Sequence, residues 1–189
     1  MPRAEARRRI VDAANRLLAT RRFADLSVDA VMAEAGLART VFYRHFDSLP
    51  HLVLSEFEAV AGDLFAELET LAEEEPERFV RAILERAVEA YAAYGPLLCA
   101  LDEASRTDEE VRAAYCAAGD RSTELTAALL RAGAEAGHNR SFPHPEQAAR
   151  ALNEMNNAYL IAALGREPRS DPKIVLETLV DLWRAALAP

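Results

Sequence analysis

The spacing of apolar residues constrains this chain more than any other feature. From end to end they recur at intervals of three or four, the period of one helical face, and no alternating run is long enough to build a sheet. The chain is therefore expected to be all-α, with about nine helices. Its composition agrees: 51% of residues are hydrophobic against only 7 Gly and 9 Pro, the profile of an Ala-rich globular protein rather than a disordered one.

The pattern predicts a first helix over residues 4–20, with Ile10, Ala14, Leu17 and Leu18 on one face. Ser27 is an N-cap for a short second helix carrying Val28, Val31 and Met32, which stops at Gly36. A third helix over 39–45 turns Leu37, Phe42 and Phe46 inward and leaves Arg39, Thr40, Tyr43 and Arg44 outward. Asp47, Ser48 and Pro50 signal a fourth helix reaching about residue 74. Pro76 opens a fifth, Gly95-Pro96 divides it from a short sixth, and the run Thr107 to Glu110 reads as a capping box for a seventh that ends at Gly137. The eighth covers 146–164 and the ninth 172–187. In the ninth, Glu177, Asp181 and Arg184 form one narrow polar stripe, and an apolar arc this wide faces two neighbours. One is the chain's own core; the other is either more of that core or the same helix of a second copy, giving an isologous homodimer through the last two helices.

Charge is divided unevenly. The total is -9, yet residues 1–50 carry nine Arg and six acids, net +3, while residues 51–189 sum to -12. A mildly basic head on an acidic body fits a protein that offers one end to phosphates. Cys99 and Cys116 have neither a CxxC spacing nor a neighbouring His, so reduced thiols in a cytoplasmic protein are expected, and no apolar stretch suits a signal peptide or a membrane span.

Two short helices around a glycine turn, the second offering Arg, Thr, Tyr and His on one side, suit entry into the DNA major groove. The run VMAEAGLARTVFYRHFDS over 31–48, preceded by Leu26-Ser-Val-Asp29, resembles the signature of the TetR/AcrR family of transcriptional regulators, and the nine-helix layout is similar to that family throughout. The guanidinium forks of Arg39 and Arg44 suit guanine O6 and N7, and Thr40 reaches a base edge or a thymine methyl. The resemblance implies that Tyr43 and His45 touch phosphates, with Ser27 assisting; Arg7, Arg8 and Arg9 either add backbone contacts or form a solvated face. Where the family commonly has Ser, Gly, Thr and Lys, this chain has Ala38, Thr40, Val41 and Leu49. Ala38 removes a capping hydroxyl worth about 1 kcal/mol, and Leu49 removes a charge, which flattens the salt dependence of binding by roughly one unit of slope.

The body carries no Gly-rich phosphate loop, no HxxxH pair and no Ser or Cys with an evident base, so no enzyme, no cofactor, no metal site and no catalytic residue is expected. Aromatic residues on several helices, among them Phe57, Phe65, Phe79, Tyr91, Tyr94 and Tyr115, are either core or the lining of a ligand cavity. On the eighth helix Asn153 and Asn156 sit on an otherwise apolar stripe; such amides are either tied to backbone or kept for a polar ligand atom. The stretches ALNEMN over 151–156 and LETLVDLW over 176–183 are similar to the ethionamide-resistance repressors within the family. That resemblance implies a ligand tunnel bordered by Asn153, Asn156, Ile161 and Trp183, with Asn157 replacing an acidic residue.

The reading is a head over 1–47 that binds double-stranded operator DNA and a body over 48–189 that binds a hydrophobic small-molecule effector and dimerises. The function expected is a ligand-responsive repressor acting on a palindromic operator. The alternative is a nucleoid-associated or other interaction protein with the same head and no effector, which predicts a body packed solid.

Overall fold

Burial follows the three-and-four spacing. In the computed structural model, which describes residues 2–71 and 76–188 and side chains outside 63–79, α1 (Arg3–Leu18) turns Ala6, Ile10, Ala13, Ala14 and Leu18 inward. A single 3-10 turn at Phe23–Asp25 leads to α2 (Val28–Ala35). Ser27 caps α2 by accepting from the Ala30 amide at 3.2 Å. Gly36 ends it with φ 64°, where the Leu37 amide folds back to the Met32 carbonyl at 3.0 Å. That left-handed φ favours glycine and satisfies a carbonyl the helix leaves open.

The chain continues through α3 (Arg39–Phe42), α4 (Leu49–Leu71), α5 (Pro76–Ser105), α6 (Glu109–Glu135), α7 (Pro145–Leu164) and α8 (Pro172–Leu187). Among the described residues there is no strand and no helix long and apolar enough to cross a membrane. The expected end of the fourth helix near residue 74, and the side chains of Phe65 and Phe79, lie outside the described residues.

Three local expectations differ from the structure. The third helix is shorter than 39–45: after Phe42 the backbone tightens, with the Arg44 and His45 amides reaching Val41 and Phe42 carbonyls three residues back. The cap of α6 is Asp108, whose carboxylate accepts from the Val111 amide at 3.1 Å, while the Thr107 hydroxyl donates to the Ala104 carbonyl. The fifth and sixth expected helices are one, so the described residues hold eight α-helices. Pro96 sits inside α5, and a proline there frees the carbonyl four residues back. That carbonyl, Ala92, accepts from Arg169 Nη1 at 2.9 Å, so an outside donor replaces the lost bond. Gly95 beside it lets the α7 terminus approach: a Cβ at Gly95 would stand 2.2 Å from the Leu164 carbonyl oxygen.

Besides a small group of Ala127 and Leu130 of α6 with Ala149 of α7, two large clusters build the core. One runs from α1, α2 and α3 through Leu52, Val53 and Leu54 of α4 to Leu97, Ala100, Leu101 and Ala104 of α5. The other joins Leu84 and Val88 of α5 to Leu160 and Leu164 of α7 and to Val175, Leu179 and Trp183 of α8. Helix α5 belongs to both. The head is also fastened to it by polar groups: the Phe23 amide donates to Glu103 Oε2 at 2.8 Å, Glu103 pairs with Arg166, and the Glu167 amide donates to the Ala19 carbonyl at 3.2 Å. On α8, Ile174 and Leu182 stay 63% and 45% exposed, an apolar stripe outside the chain's own core.

Glycine substitutions separate close approach from propensity. Gly95→Ala is expected to lower unfolding free energy by about 1–3 kcal/mol through overpacking. Gly119→Ala on α6, where nothing lies within 4 Å of the added carbon, raises it by about 0.5–1 kcal/mol. Urea unfolding of the two variants checks both signs.

Candidate functional site

The outward face of the head is set by what its inward face buries. Phe42 is 0% and Phe46 2% exposed, so Arg39, Thr40, Tyr43 and Arg44 stand in solvent on one side of the recognition segment. Ala38 begins it without a side-chain cap, as its methyl dictates. Arg39 is held: its Nη1 donates to both Asp29 oxygens, at 2.7 and 2.6 Å, and its Nη2 donates to the Tyr43 hydroxyl at 3.1 Å. The Asp29 hydrogen bond, then that of Tyr43, raises the Arg39 pKa further. Partial burial, followed by the charges of Arg3, Arg7 and Arg44, holds the His45 pKa below the usual imidazole range.

Two of the three consecutive arginines are tied to other helices. Arg7 pairs with Glu56 of α4 and lies 5.4 Å from the Phe46 ring centre; burial raises the Glu56 pKa against the pull of that arginine. Arg9 donates to the Ala35 carbonyl at 2.6 Å and so serves the end of α2. Arg8 remains exposed. Arg3 adds a tie from the start of α1 to the Arg44 carbonyl at 3.2 Å.

The body holds a cavity of about 530 Å³ between α4, α5, α6 and α7, within the range of small-molecule sites. Phe57, Val60 and Ala61 of α4 form one wall and Ala90, Tyr91, Leu98 and Leu101 of α5 another. Across it the Tyr91 hydroxyl donates to Asn157 Oδ1 at 2.5 Å, Asn157 Nδ2 donates to the Tyr115 hydroxyl at 2.7 Å, and Tyr115 donates toward Asp102 at 3.5 Å. Burial pushes both phenols above their ordinary range, Tyr91 strongly, so both remain neutral donors. Asn153 accepts from Thr126 at 3.2 Å, while its buried Nδ2 has no protein partner. The rim carries an ion pair, Arg150 with Asp120 at 3.2 Å.

Of the residues singled out from sequence, Tyr91, Tyr115 and Asn153 come together in this cavity. Asn156 and Trp183 do not: the Trp183 indole donates to Asn156 Oδ1 at 3.0 Å, tying α7 to α8. Tyr94 is 42% exposed, beside a small crevice with Val53, Glu56 and Leu97, and Ile161 is outside the wall. Asn157, read from sequence only as a departure, shares the cavity face with Asn153. The cause is rotational: at 3.6 residues per turn Asn157 sits roughly 40° round the helix from Asn153, and Asn156 about 60° the other way, toward α8. The partner of Arg39, Asp29, was legible only as an opposite charge on the neighbouring helix. Among the described residues no three His, Cys, Asp or Glu gather as a metal site.

The sequence pattern of bacterial regulatory proteins of the tetR family matches residues 10–54, and that of the C-terminal domain of transcriptional regulator EthR matches residues 80–187. The HTH-type transcriptional regulator EthR of Mycobacterium tuberculosis is 32% identical over 180 residues, 92% of this chain and 83% of that protein. Two solved structures share the fold. The TetR family regulator PfmR of Thermus thermophilus has a TM-score of 0.77 at 23% identity, covering 92% of this chain and 95% of that one. FadR of Bacillus subtilis, solved with stearoyl-CoA, has a TM-score of 0.71 at 16% identity, covering 93% and 96%.

Removing the central amide of the cavity takes away the acceptor of the buried Tyr91 hydroxyl and leaves Tyr115 with only its long contact to Asp102. Asn157→Ala is expected to cost the ligand-free protein about 1–3 kcal/mol. Asn153→Ala should cost less than about 1 kcal/mol, because Thr126 can turn to a carbonyl of its own helix. Chemical denaturation that ranks them the other way contradicts the hydrogen-bond assignment.

Proposed function

Since the chain belongs to the TetR family of bacterial transcriptional regulators, with an EthR-type C-terminal domain, we propose that it is a homodimeric repressor released from its operator by a neutral hydrophobic small molecule. Residues 1–47 are the DNA-binding head and residues 48–189 the effector-binding and dimerisation body. Arg39, Thr40 and Arg44 read base edges; Tyr43 and His45, with Ser27 nearby, meet phosphates. Two heads occupy half-sites about 34–36 Å apart, one helical turn. Two copies join through the outer faces of α7 and α8, where the exposed Ile174 and Leu182 offer an apolar stripe that a symmetric partner would bury.

The observation that carries the effector reading is the double use of α4. Leu52, Val53 and Leu54 pack in the same cluster as Phe42 and Phe46 of the head, and Phe57, Val60 and Ala61, one turn or two further on, wall the cavity. A molecule that fills the cavity presses on a helix whose other end seats the recognition segment. Release follows when the effector binds the protein whose heads are off register more tightly than the one on DNA. A body packed solid would instead have favoured a regulator without an effector. The ligand is largely apolar, with a hydrogen-bond acceptor for Asn153 Nδ2. The body groups Tyr91, Tyr115, Asn153 and Asn157 are its proposed polar contacts, and Tyr94, Asn156, Ile161 and Trp183 support the fold around them.

Two measurements test this reading. In salt-titrated operator binding, Arg39→Ala and Tyr43→Ala should each weaken affinity at least about tenfold, the size of a lost base or phosphate contact; unchanged binding in both contradicts the head assignment. Ala90→Phe, which narrows the cavity from its α5 wall, should lose the thermal stabilisation that apolar compounds give the wild type. A response equal to wild type places the effector elsewhere.

A further inference from the structure

The arginine proposed to read bases is not free in the unbound protein. Asp29, in the first turn of α2, accepts Arg39 Nη1 with both carboxylate oxygens at 2.7 and 2.6 Å, and Tyr43 accepts Nη2 at 3.1 Å with its ring centre 5.8 Å from the guanidinium carbon. A guanidinium has five N–H groups. Asp29 and Tyr43 engage Nη1 and Nη2 only, so Nε–H and the remaining Nη hydrogens are left for the O6 and N7 acceptors of guanine. Tyr43, acting as acceptor, keeps its own proton for a phosphate.

This arrangement has no other evident use. The side chains of Arg39 and Asp29 are 56% and 67% exposed, and ion pairs that exposed add little to fold stability. A carboxylate on the face offered to DNA repels phosphates and lowers affinity for every sequence. What it provides is orientation: a long side chain on a four-residue helix is held in one direction before DNA arrives, so less freedom is lost on binding.

We infer that Asp29 is a positioning residue for base readout, holding Arg39 so that guanine is preferred at the half-site position that Arg39 faces. The inference rests on the reading of the recognition segment given above. It makes an unusual demand, that a residue which repels DNA is needed for choosing the right DNA.

The test enriches random-sequence duplex DNA on the full-length wild-type protein. Fluorescence anisotropy then measures the enriched site, its single-base variants and an unrelated duplex against wild type, D29A, D29N, D29E and R39A, with thermal melts confirming that each variant is folded. R39A is expected to abolish the preference for one guanine per half-site. D29A and D29N are expected to reduce the penalty for replacing that guanine about tenfold, the order of a bidentate contact, while affinity for the unrelated duplex stays equal or rises. D29E should recover most of the discrimination. If R39A loses the guanine preference while D29A and D29N keep the wild-type penalty, or change affinity for all sequences alike, the inference is overturned and the reading of the head stands. If R39A leaves every base preference intact, both fall.

Discussion

Burial of Phe42 and Phe46 is the interaction on which the rest depends. Helix α3 has four residues, far too few to be stable by backbone hydrogen bonds alone. Its position comes from two aromatic side chains sunk among Ile10, Leu18, Val31, Met32 and Leu52, and the polar side chains opposite them face solvent as a consequence. Full burial of a Phe contributes on the order of 1.5–3 kcal/mol, so these two anchors outweigh the missing cap at Ala38, at about 1 kcal/mol.

The same cluster joins the head to the body. Leu101 of α5 belongs to the core that seats the head and also to the cavity wall, and Phe57 of α4 packs against that core from the cavity side. One layer of side chains separates the cavity from the residues that hold the recognition segment. Glu103 supplies a second attachment, joining the Phe23 amide of the head to Arg166 in the loop between α7 and α8. In the proposed mechanism α4 transmits the change and the Glu103 contact acts as the fixed point about which the head turns.

Much of this was legible in the sequence because its causes are local. The cap at Ser27, the left-handed Gly36 and the spacing of Phe42 and Phe46 each act within a few residues, and the head was read from them. What was missed depends on contacts between distant segments. Gly95-Pro96 looks like a break, yet Arg169, more than seventy residues away, satisfies the carbonyl that Pro96 frees and the helix continues. Asn156 and Asn157 are indistinguishable by composition; the path of α8 decides that one meets Trp183 and the other the cavity. The pairing of Arg39 with Asp29 crosses the glycine turn and follows from its angle, which no spacing rule specifies.

The central claim, that occupancy of the cavity sets the separation of two heads, is tested most directly by pulsed electron–electron distance measurement between spin labels at Ala24→Cys, an exposed head position, with the exposed Cys116 replaced by serine. The account predicts one narrow distance on operator DNA and a shift of several ångströms when a compound that stabilises the wild type, but not Ala90→Phe, saturates the protein. The same distance with and without that compound, while it still releases the operator, would contradict it.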